Sequence, residues 1–185
     1  MTEADYIPGD GARAQREAQM IRVDHAGEYG AVQIYRGQRA VFEAARGKAA
    51  IAALIAEMEA GEAAHLRTFD RLIAERRVRP TALAPVWRAA GYGLGVVTAL
   101  MGERAAHACT AAVEEVIEGH YAQQAAALGD SDPELRGVIE QFRADESGHR
   151  ETALAHGAAE APGYAALSAV IKFGCRAAIR LSEKI

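Results

Sequence analysis

Six histidines occur in the 185-residue chain, and two of them follow a glutamate by three residues, in Glu62-Ala-Ala-His65 and Glu146-Ser-Gly-His149. On a helix, positions three apart share a face, so each pair turns a carboxylate and an imidazole to the same side. That spacing alone is weak evidence, because glutamate is common in the chain. The repeat around it is stronger: Glu28 stands 34 residues before Glu62, and Glu114 stands 32 residues before Glu146. A glutamate followed by Glu-x-x-His therefore occurs twice. Ile55, Met58, Phe69 and Leu72 share the helical stripe of Glu62 and His65, and Ile139, Phe142 and Ala153 share that of Glu146 and His149. Glu28 falls in line with Ile21, Ala31, Val32 and Tyr35, and Glu114 with Thr110, Ala111, Ile117 and Tyr121. All six side chains are expected to point inward.

Four buried carboxylates without a cation would each cost several kcal/mol or take up protons, so the pattern calls for compensating positive charge. One glutamate from each of two helices, with Glu-x-x-His from each of the other two, is the ligand set of di-iron carboxylate bundles. Hard carboxylates with one imidazole per metal suit iron or manganese rather than copper or zinc. In this arrangement Glu62 and Glu146 bridge two ions. Glu59, Glu115, Glu118 and Glu151 lie off the shared stripes and are expected to be solvated. Asp145 precedes His149 by four residues, and Asp24 precedes Glu28 by four. Either could hydrogen-bond a ligand imidazole, with a helix salt bridge to arginine as the alternative.

Breakers define the elements that must position these residues. Helical segments are expected over about 12–46, 48–77, 86–101 and 103–129, with a fifth begun by Asp132-Pro133 and ended at Gly157, and a last one after Pro162-Gly163. The 43 alanines and 5 prolines favour helix over sheet. The expected fold is all-α: a four-helix bundle of two hairpins, joined by a short crossover helix and followed by a C-terminal helix. This is the connectivity of ferritin-like bundles. The expected organisation is a short N-terminal tail, 1–11, and a single domain, 12–185.

With 50% hydrophobic and 25% charged residues, the chain has the composition of a packed domain rather than a disordered one. A net charge of −4, with no basic cluster longer than Arg76-Arg77-Val78-Arg79, argues against a nucleic-acid partner. Cys109 and Cys175 form no CxxC pair and are expected to be buried in a reducing compartment. The first ten residues carry no basic region followed by an apolar run, so no targeting signal is expected there.

The segment Ile21-Arg-Val-Asp-His-Ala-Gly-Glu28-Tyr-Gly-Ala31 resembles the demethoxyubiquinone hydroxylases. The likeness continues through Glu62-x-x-His65-Leu66, Ala112-Val-Glu114-Glu115, His120-Tyr121, Asp145-Glu-Ser-Gly-His149 and Gly174-Cys-Arg-Ala-Ala-Ile-Arg-Leu-Ser-Glu183, nearly the whole chain. The resemblance implies a di-iron monooxygenase that hydroxylates the ring of demethoxyubiquinol with O₂, late in ubiquinone biosynthesis. It implies two iron ions held by Glu28, Glu62, His65, Glu114, Glu146 and His149, with NADH as ultimate electron donor. His120 and Tyr121 are candidates for a proton or electron relay; a packed tyrosine and a capping histidine are the alternative.

A polyprenyl quinol substrate places the enzyme at a membrane surface. The longest uncharged run, Ala89–Gly102, has 14 residues, short of the ~20 a spanning helix needs. It could lie in the interface or pack in the core; its glycines at 91, 93, 95 and 102 suggest a loosely packed helix. Lys172, Arg176, Arg180 and Lys184 recur every four residues beside Leu167, Val170, Ile171 and Ile179, a basic amphipathic pattern suited either to anionic lipid or to water. The expected location is peripheral, on the cytoplasmic face of a bacterial inner membrane. A homo-oligomer, or association with other proteins of ubiquinone biosynthesis, is the expected protein partnership. Gly91-Tyr-Gly-Leu-Gly95 is not a dinucleotide-binding loop, which leaves electron delivery open. Two other readings use the same residues: a ferritin-like protein that oxidises iron or reduces peroxide, and a non-enzymatic helical scaffold.

Overall fold

The computed structural model describes residues 10–185, so most of the expected N-terminal tail lies outside the described residues. Six α-helices follow in order: α1 (Asp10–Ala44), α2 (Ala49–Glu75), α3 (Ala84–Leu100), α4 (Glu103–Leu128), α5 (Pro133–Ala155) and α6 (Tyr164–Ser182). A single 3-10 turn, Ala158–Glu160, precedes α6, and no strand occurs among the described residues. The four long helices pair as hairpins, α1 with α2 and α4 with α5, while α3 packs on α1 and α6 on α4. This is the expected bundle with its crossover and C-terminal helices. Its boundaries differ from the sequence reading by about two residues, and α1 already includes Asp10 and Gly11.

Local chemistry accounts for the turns. Asp132 caps α5 by accepting from the Leu135 amide at 3.0 Å, with Pro133 at the first helical position. Its carboxylate also pairs with Arg76 just after α2, and so ties the two hairpins together. Gly47 closes the first hairpin with φ at +77°, a left-handed conformation that costs glycine little.

The core of the described residues gathers in four apolar clusters, two of which hold the buried aromatic side chains. One gathers Ile21, Phe69, Leu72, Tyr121, Leu135 and Phe142. The other gathers Tyr35, Phe42, Ile51, Ile55 and Met58. On α1, α2 and α4 the candidate ligands fall between these two clusters, as Glu28 does between Ile21 and Tyr35, whereas of the two α5 contributes only to the first. Between α4, α5 and the 3-10 turn the contact is made of Ala108, Ala111, Ala153, Ala158 and Ala161, side chains small enough for the backbones to approach closely. Cys109 is buried and Cys175 half-buried, neither is disulfide-bonded, and burial pushes the Cys175 thiol up to about 12.

The α3 glycines correct the expectation of a loose helix. A Cβ at Gly95 would lie 2.0 Å from the Ile34 carbonyl oxygen, and one at Gly37 would lie 2.3 Å from that of Tyr92. Glycines on both helices let α1 and α3 pack backbone to backbone, so this contact is tight. The outer side of α3 is nevertheless apolar: Val86, Tyr92, Val97, Leu100 and Met101 are exposed.

His107 on α4 is buried with its Nδ1 unpartnered, and its ring centroid lies 5.1 Å from that of His156. Burial first, then His156, lowers its pKa from 6.5 to about 4, with Glu103 opposing. The folded chain therefore keeps His107 neutral at a pH where the unfolded chain protonates it. The stability this confers is complete above pH 6.5 and is lost as pH falls toward 4. Thermal melts of the metal-free chain should show a loss of about 2 kcal/mol from this source between about pH 7 and 5, absent in His107→Leu. Equal acid sensitivity in both chains would refute it.

Candidate metal centre

Glu28 comes from α1, Glu62 and His65 from α2, Glu114 from α4, and Glu146 and His149 from α5. The four carboxylates are at most 1% exposed and His65 is 5% exposed, while His149 is half-buried. They form two groups, Glu28-Glu62-His65-Glu146 and Glu62-Glu114-Glu146-His149, in each of which the ligand atoms lie within 4.8 Å of one another. Glu62 and Glu146 belong to both, the arrangement needed to bridge two ions.

Both imidazoles turn Nδ1 to the centre. His149 Nδ1 is 2.9 Å from Glu62 Oε1 and 3.3 Å from Glu146 Oε2. His65 Nδ1 is 3.2 Å from Glu146 Oε1 and 3.5 Å from Glu28 Oε2, without hydrogen-bond geometry. Glu28 Oε2, both oxygens of Glu62, Glu114 Oε2, Glu146 Oε1 and His65 Nδ1 are buried without a hydrogen-bond partner. Buried orphan atoms are uncommon in folded proteins, and here they are the atoms that face the shared centre. Burial, then repulsion from Glu146, pushes the carboxyls of Glu62 and Glu114 well up. Burial is also the main cause that raises Glu28. At Glu146 burial acts in the same sense but is outweighed by His149 and His65, which hold this carboxyl down. The polypeptide alone is short of positive charge at this point. Six hard donors, four carboxylates and two imidazoles, fit two ions of the iron or manganese kind.

Two tyrosines close the site. Tyr121 donates to Glu28 Oε1, and Tyr35 donates to Glu114 Oε1 at 2.8 Å. Each hydroxyl crosses to the glutamate of the other hairpin and so fixes a carboxylate that belongs to only one of the two groups. Tyr35 was readable from the repeat, since it follows Glu28 by seven residues just as Tyr121 follows Glu114. His120, in contrast, touches none of the six. Its Nε2 lies 3.3 Å from Asp24 Oδ1 and 2.9 Å from Gln124 Nε2.

One expectation for the surroundings holds and two change. Asp145 does meet an imidazole of the centre, that of His65 across the bundle, its Oδ2 3.2 Å from Nε2. Asp24 serves Gln124 and His120 rather than a ligand ring. Glu59 is buried between Arg36 and Arg39, at 3.0 and 2.5 Å, because one turn before Glu62 is still the side of α2 that faces α1. Glu115 and Glu151 are exposed and Glu118 half-buried.

Two openings flank the centre. On the histidine side, between α2 and α5, a cleft of about 600 Å³ is lined by Gly61, His65, Asp145 and His149. On the opposite side an apolar cavity of about 420 Å³ lies between α1, α3, α4 and α6. Its walls include Gly27 and Ala31, which flank Glu28, and Val113 and Ile117, which flank Glu114. Trp87, Leu94, Val170 and Ile179 line its outer part, and neither His120 nor Tyr121 lines it.

Residues 15–182 match the family described as ubiquinone biosynthesis protein COQ7. The chain belongs to this family. It is 47% identical over 184 residues to a Rhodospirillum rubrum protein named 3-demethoxyubiquinol 3-hydroxylase, an alignment that covers all of this chain and 85% of that one. A mouse relative named NADPH-dependent 3-demethoxyubiquinone 3-hydroxylase, mitochondrial, is 49% identical over 169 residues, 89% of this chain and 76% of the relative. A Saccharomyces cerevisiae relative named 5-demethoxyubiquinone hydroxylase, mitochondrial, is 39% identical over 181 residues, 90% of this chain and 77% of the relative.

Proposed function

We propose that the chain is a di-iron monooxygenase that hydroxylates the ring of demethoxyubiquinol with O₂ in a late step of ubiquinone biosynthesis. The observation that carries this reading is the set of unpartnered buried ligand atoms, on helices whose adjoining residues Gly27, Ala31, Val113 and Ile117 wall an apolar cavity. The names of the relatives support the substrate class. Residues 12–185 would act as one functional unit.

When bound, two reduced irons supply the electrons that activate O₂ for insertion into the ring. Glu28 and His65 would hold one ion and Glu114 and His149 the other, with Glu62 and Glu146 between them. The chain's own residues do the rest. Gly27 and Gly30, where a Cβ would meet nothing within 4 Å, leave room for a planar headgroup beside the Glu28 and Glu114 turns, and Val23, Ile34 and Leu94 exclude water from it. Tyr35 and Tyr121 keep two carboxylates oriented. Tyr121 can exchange a proton with Glu28 directly, so we assign it the inner place of the relay and His120, on the Asp24 side, the outer one. Tyr121→Phe should slow iron reduction by substrate about a hundredfold or more, within the usual range for a positioned proton-transfer group. An unchanged rate would remove the relay.

A reduced nicotinamide nucleotide is taken as ultimate donor, NADH by the sequence resemblance and NADPH by the names of the mitochondrial relatives; rates with each would decide. Homo-oligomers and other proteins of ubiquinone biosynthesis remain the proposed protein partners.

No helix among the described residues is long and apolar enough to cross a membrane. The apolar cavity adjoins exposed apolar side chains: Val170 both lines it and is 70% exposed, with Phe173 at 75% and Leu100 at 72%. We place this face of α3 and α6 against the bilayer, on the cytoplasmic side of a bacterial inner membrane, so that a prenyl quinol passes from lipid into the cavity. Arg176, Arg180 and Lys184 are exposed nearby, while Lys172 is engaged by Glu115 at 2.6 Å. With about 1 kcal/mol per basic residue near anionic lipid, changing these three to Gln should weaken vesicle binding by roughly tenfold to a hundredfold. Unchanged flotation with anionic vesicles, for this variant and for Val170→Ser/Phe173→Ser, would refute the assignment.

The reaction class is tested by loading the chain anaerobically with ferrous iron and admitting O₂ with and without demethoxyubiquinol. A hydroxylase converts the quinol. A ferritin-like protein consumes O₂ and ferrous iron equally well without it, and that result would contradict the proposal.

A further inference from the structure

The two halves of the metal centre are related by an internal repeat that pairs Glu62 with Glu146 and His65 with His149, and the two copies differ at the position just before the paired glutamates. The residue before Glu146 is Asp145, and the residue before Glu62 is Gly61. Asp145 reaches across from α5 to the outer nitrogen of His65, at 3.2 Å from Nε2. By the same relation a side chain at position 61 would reach across from α2 to His149. The geometry agrees: a Cβ built on Gly61 would lie 3.4 Å from both Nε2 and Cε1 of that ring. Glycine puts no group there, and Nε2 of His149 has no protein hydrogen-bond partner among the described residues.

Packing follows the same division. Phe142 stacks on His65 with centroids 3.9 Å apart, whereas no ring among the described residues stacks on His149. The side chain of His65 is 7% exposed and that of His149 is 20% exposed, at the floor of the cleft that Gly61 also lines. A carboxylate on the outer nitrogen of a ligand histidine fixes its tautomer and ring orientation and raises its basicity. His65 has this support and His149 does not.

We infer that Gly61 makes the two metal positions unequal, so that the ion held by Glu62, Glu114, Glu146 and His149 is the weaker-bound and faster-exchanging one. The inference rests on the metal reading proposed above. Gly61 and Asp145 are positioning residues: each acts on a ligand imidazole, one by leaving it unsupported and one by supporting it. Both rings line the cleft, but the more exposed side chain of His149 leaves its position more open to solvent and small chelators than that of His65.

The test is iron release from the chain loaded with two equivalents of ferrous iron without O₂, followed after addition of a ferrous chelator. Two phases of equal amplitude are expected, with rates roughly 10- to 100-fold apart, the range that loss of such a support costs in metal affinity. Gly61→Asp should slow the fast phase toward the slow one. Gly61→Ala, which fills the space without an acceptor, should leave the fast phase within about threefold of the native rate, far inside the 10- to 100-fold effect of a lost support. Asp145→Ala should accelerate the slow phase toward the fast one. Circular dichroism at equal helicity certifies the variants, and if Gly61→Asp does not fold, the response of the slow phase to Asp145→Ala decides. Release of both irons from the native chain in a single phase would overturn the inference and leave the metal reading intact, as would Gly61→Ala slowing release as much as Gly61→Asp. A chain that takes up no iron would overturn both.

Discussion

Glu62→Ala is expected to abolish iron binding at both positions and bring hydroxylation to background. Glu62 is fully buried, belongs to both ligand groups, and has both oxygens free of hydrogen-bond partners. Metal ions typically contribute several kcal/mol of transition-state stabilisation, so the loss should be roughly 10³-fold or more. The decisive companion is stability without metal. A carboxyl pushed well above its usual range by burial and by Glu146 weakens the metal-free fold. The near-isosteric Glu62→Gln should therefore melt at or above the temperature of the metal-free native chain. Iron analysis, turnover and thermal melts check the three parts together. A lower melting temperature for Glu62→Gln, with iron retained, would mean that the acid serves the fold and not a metal.

Gly27→Leu is the second large effect and acts on the opposite side of the centre. Gly27 lines the apolar cavity next to Glu28, and a Cβ there meets nothing within 4 Å. A leucine enters the cavity without striking the bundle, and replacing glycine inside a helix favours the fold by about 1 kcal/mol. Hydroxylation should fall roughly a hundredfold, the cost of keeping a ring out of its reactive position. Iron content should stay at two per chain. Undiminished turnover would show that the quinol approaches by another route, the histidine-side cleft being the remaining candidate.

These effects can be assigned because the centre was largely legible in the sequence. Glu-x-x-His fixes the relative place of two side chains on one helix, and the 34- and 32-residue returns fix a glutamate on each preceding helix. Helix ends were equally readable at Asp132-Pro133 and Gly47, where a cap or a positive φ leaves few choices. What helical periodicity lacks is the identity of the residue facing from a neighbouring helix. Asp145 meets an imidazole of the centre as the spacing allows, but that the ring is His65 on α2 depends on how the helices face each other. Glu59 looked solvated because Arg36 and Arg39, its partners, belong to α1. The glycines of α3 looked like weak packing and are the contact surface itself, since only the position of α1 gives them meaning. Tyr35 was visible on the Glu28 stripe, yet its bond to Glu114 depends on how the hairpins face each other.

The same limit shapes the reading of the ring-oxidising side. The histidine and tyrosine proposed as a relay are adjacent in sequence, but Tyr121 faces Glu28 and His120 faces Asp24, so adjacency along a helix separated their surroundings. The apolar cavity is assembled from four helices, each of which contributes a few small or aliphatic residues that no single segment marks as a site.

The most direct measurement is the origin of the oxygen atom in the product. The iron-loaded chain, demethoxyubiquinol in anionic vesicles and a reductant are combined under ¹⁸O₂, and the quinone product is analysed by mass spectrometry. One ¹⁸O atom in the ring hydroxyl, formed only when iron is present and absent with Glu62→Ala, is the predicted result. No hydroxylated product, with O₂ consumed while the iron is oxidised, would contradict the assignment as a di-iron hydroxylase.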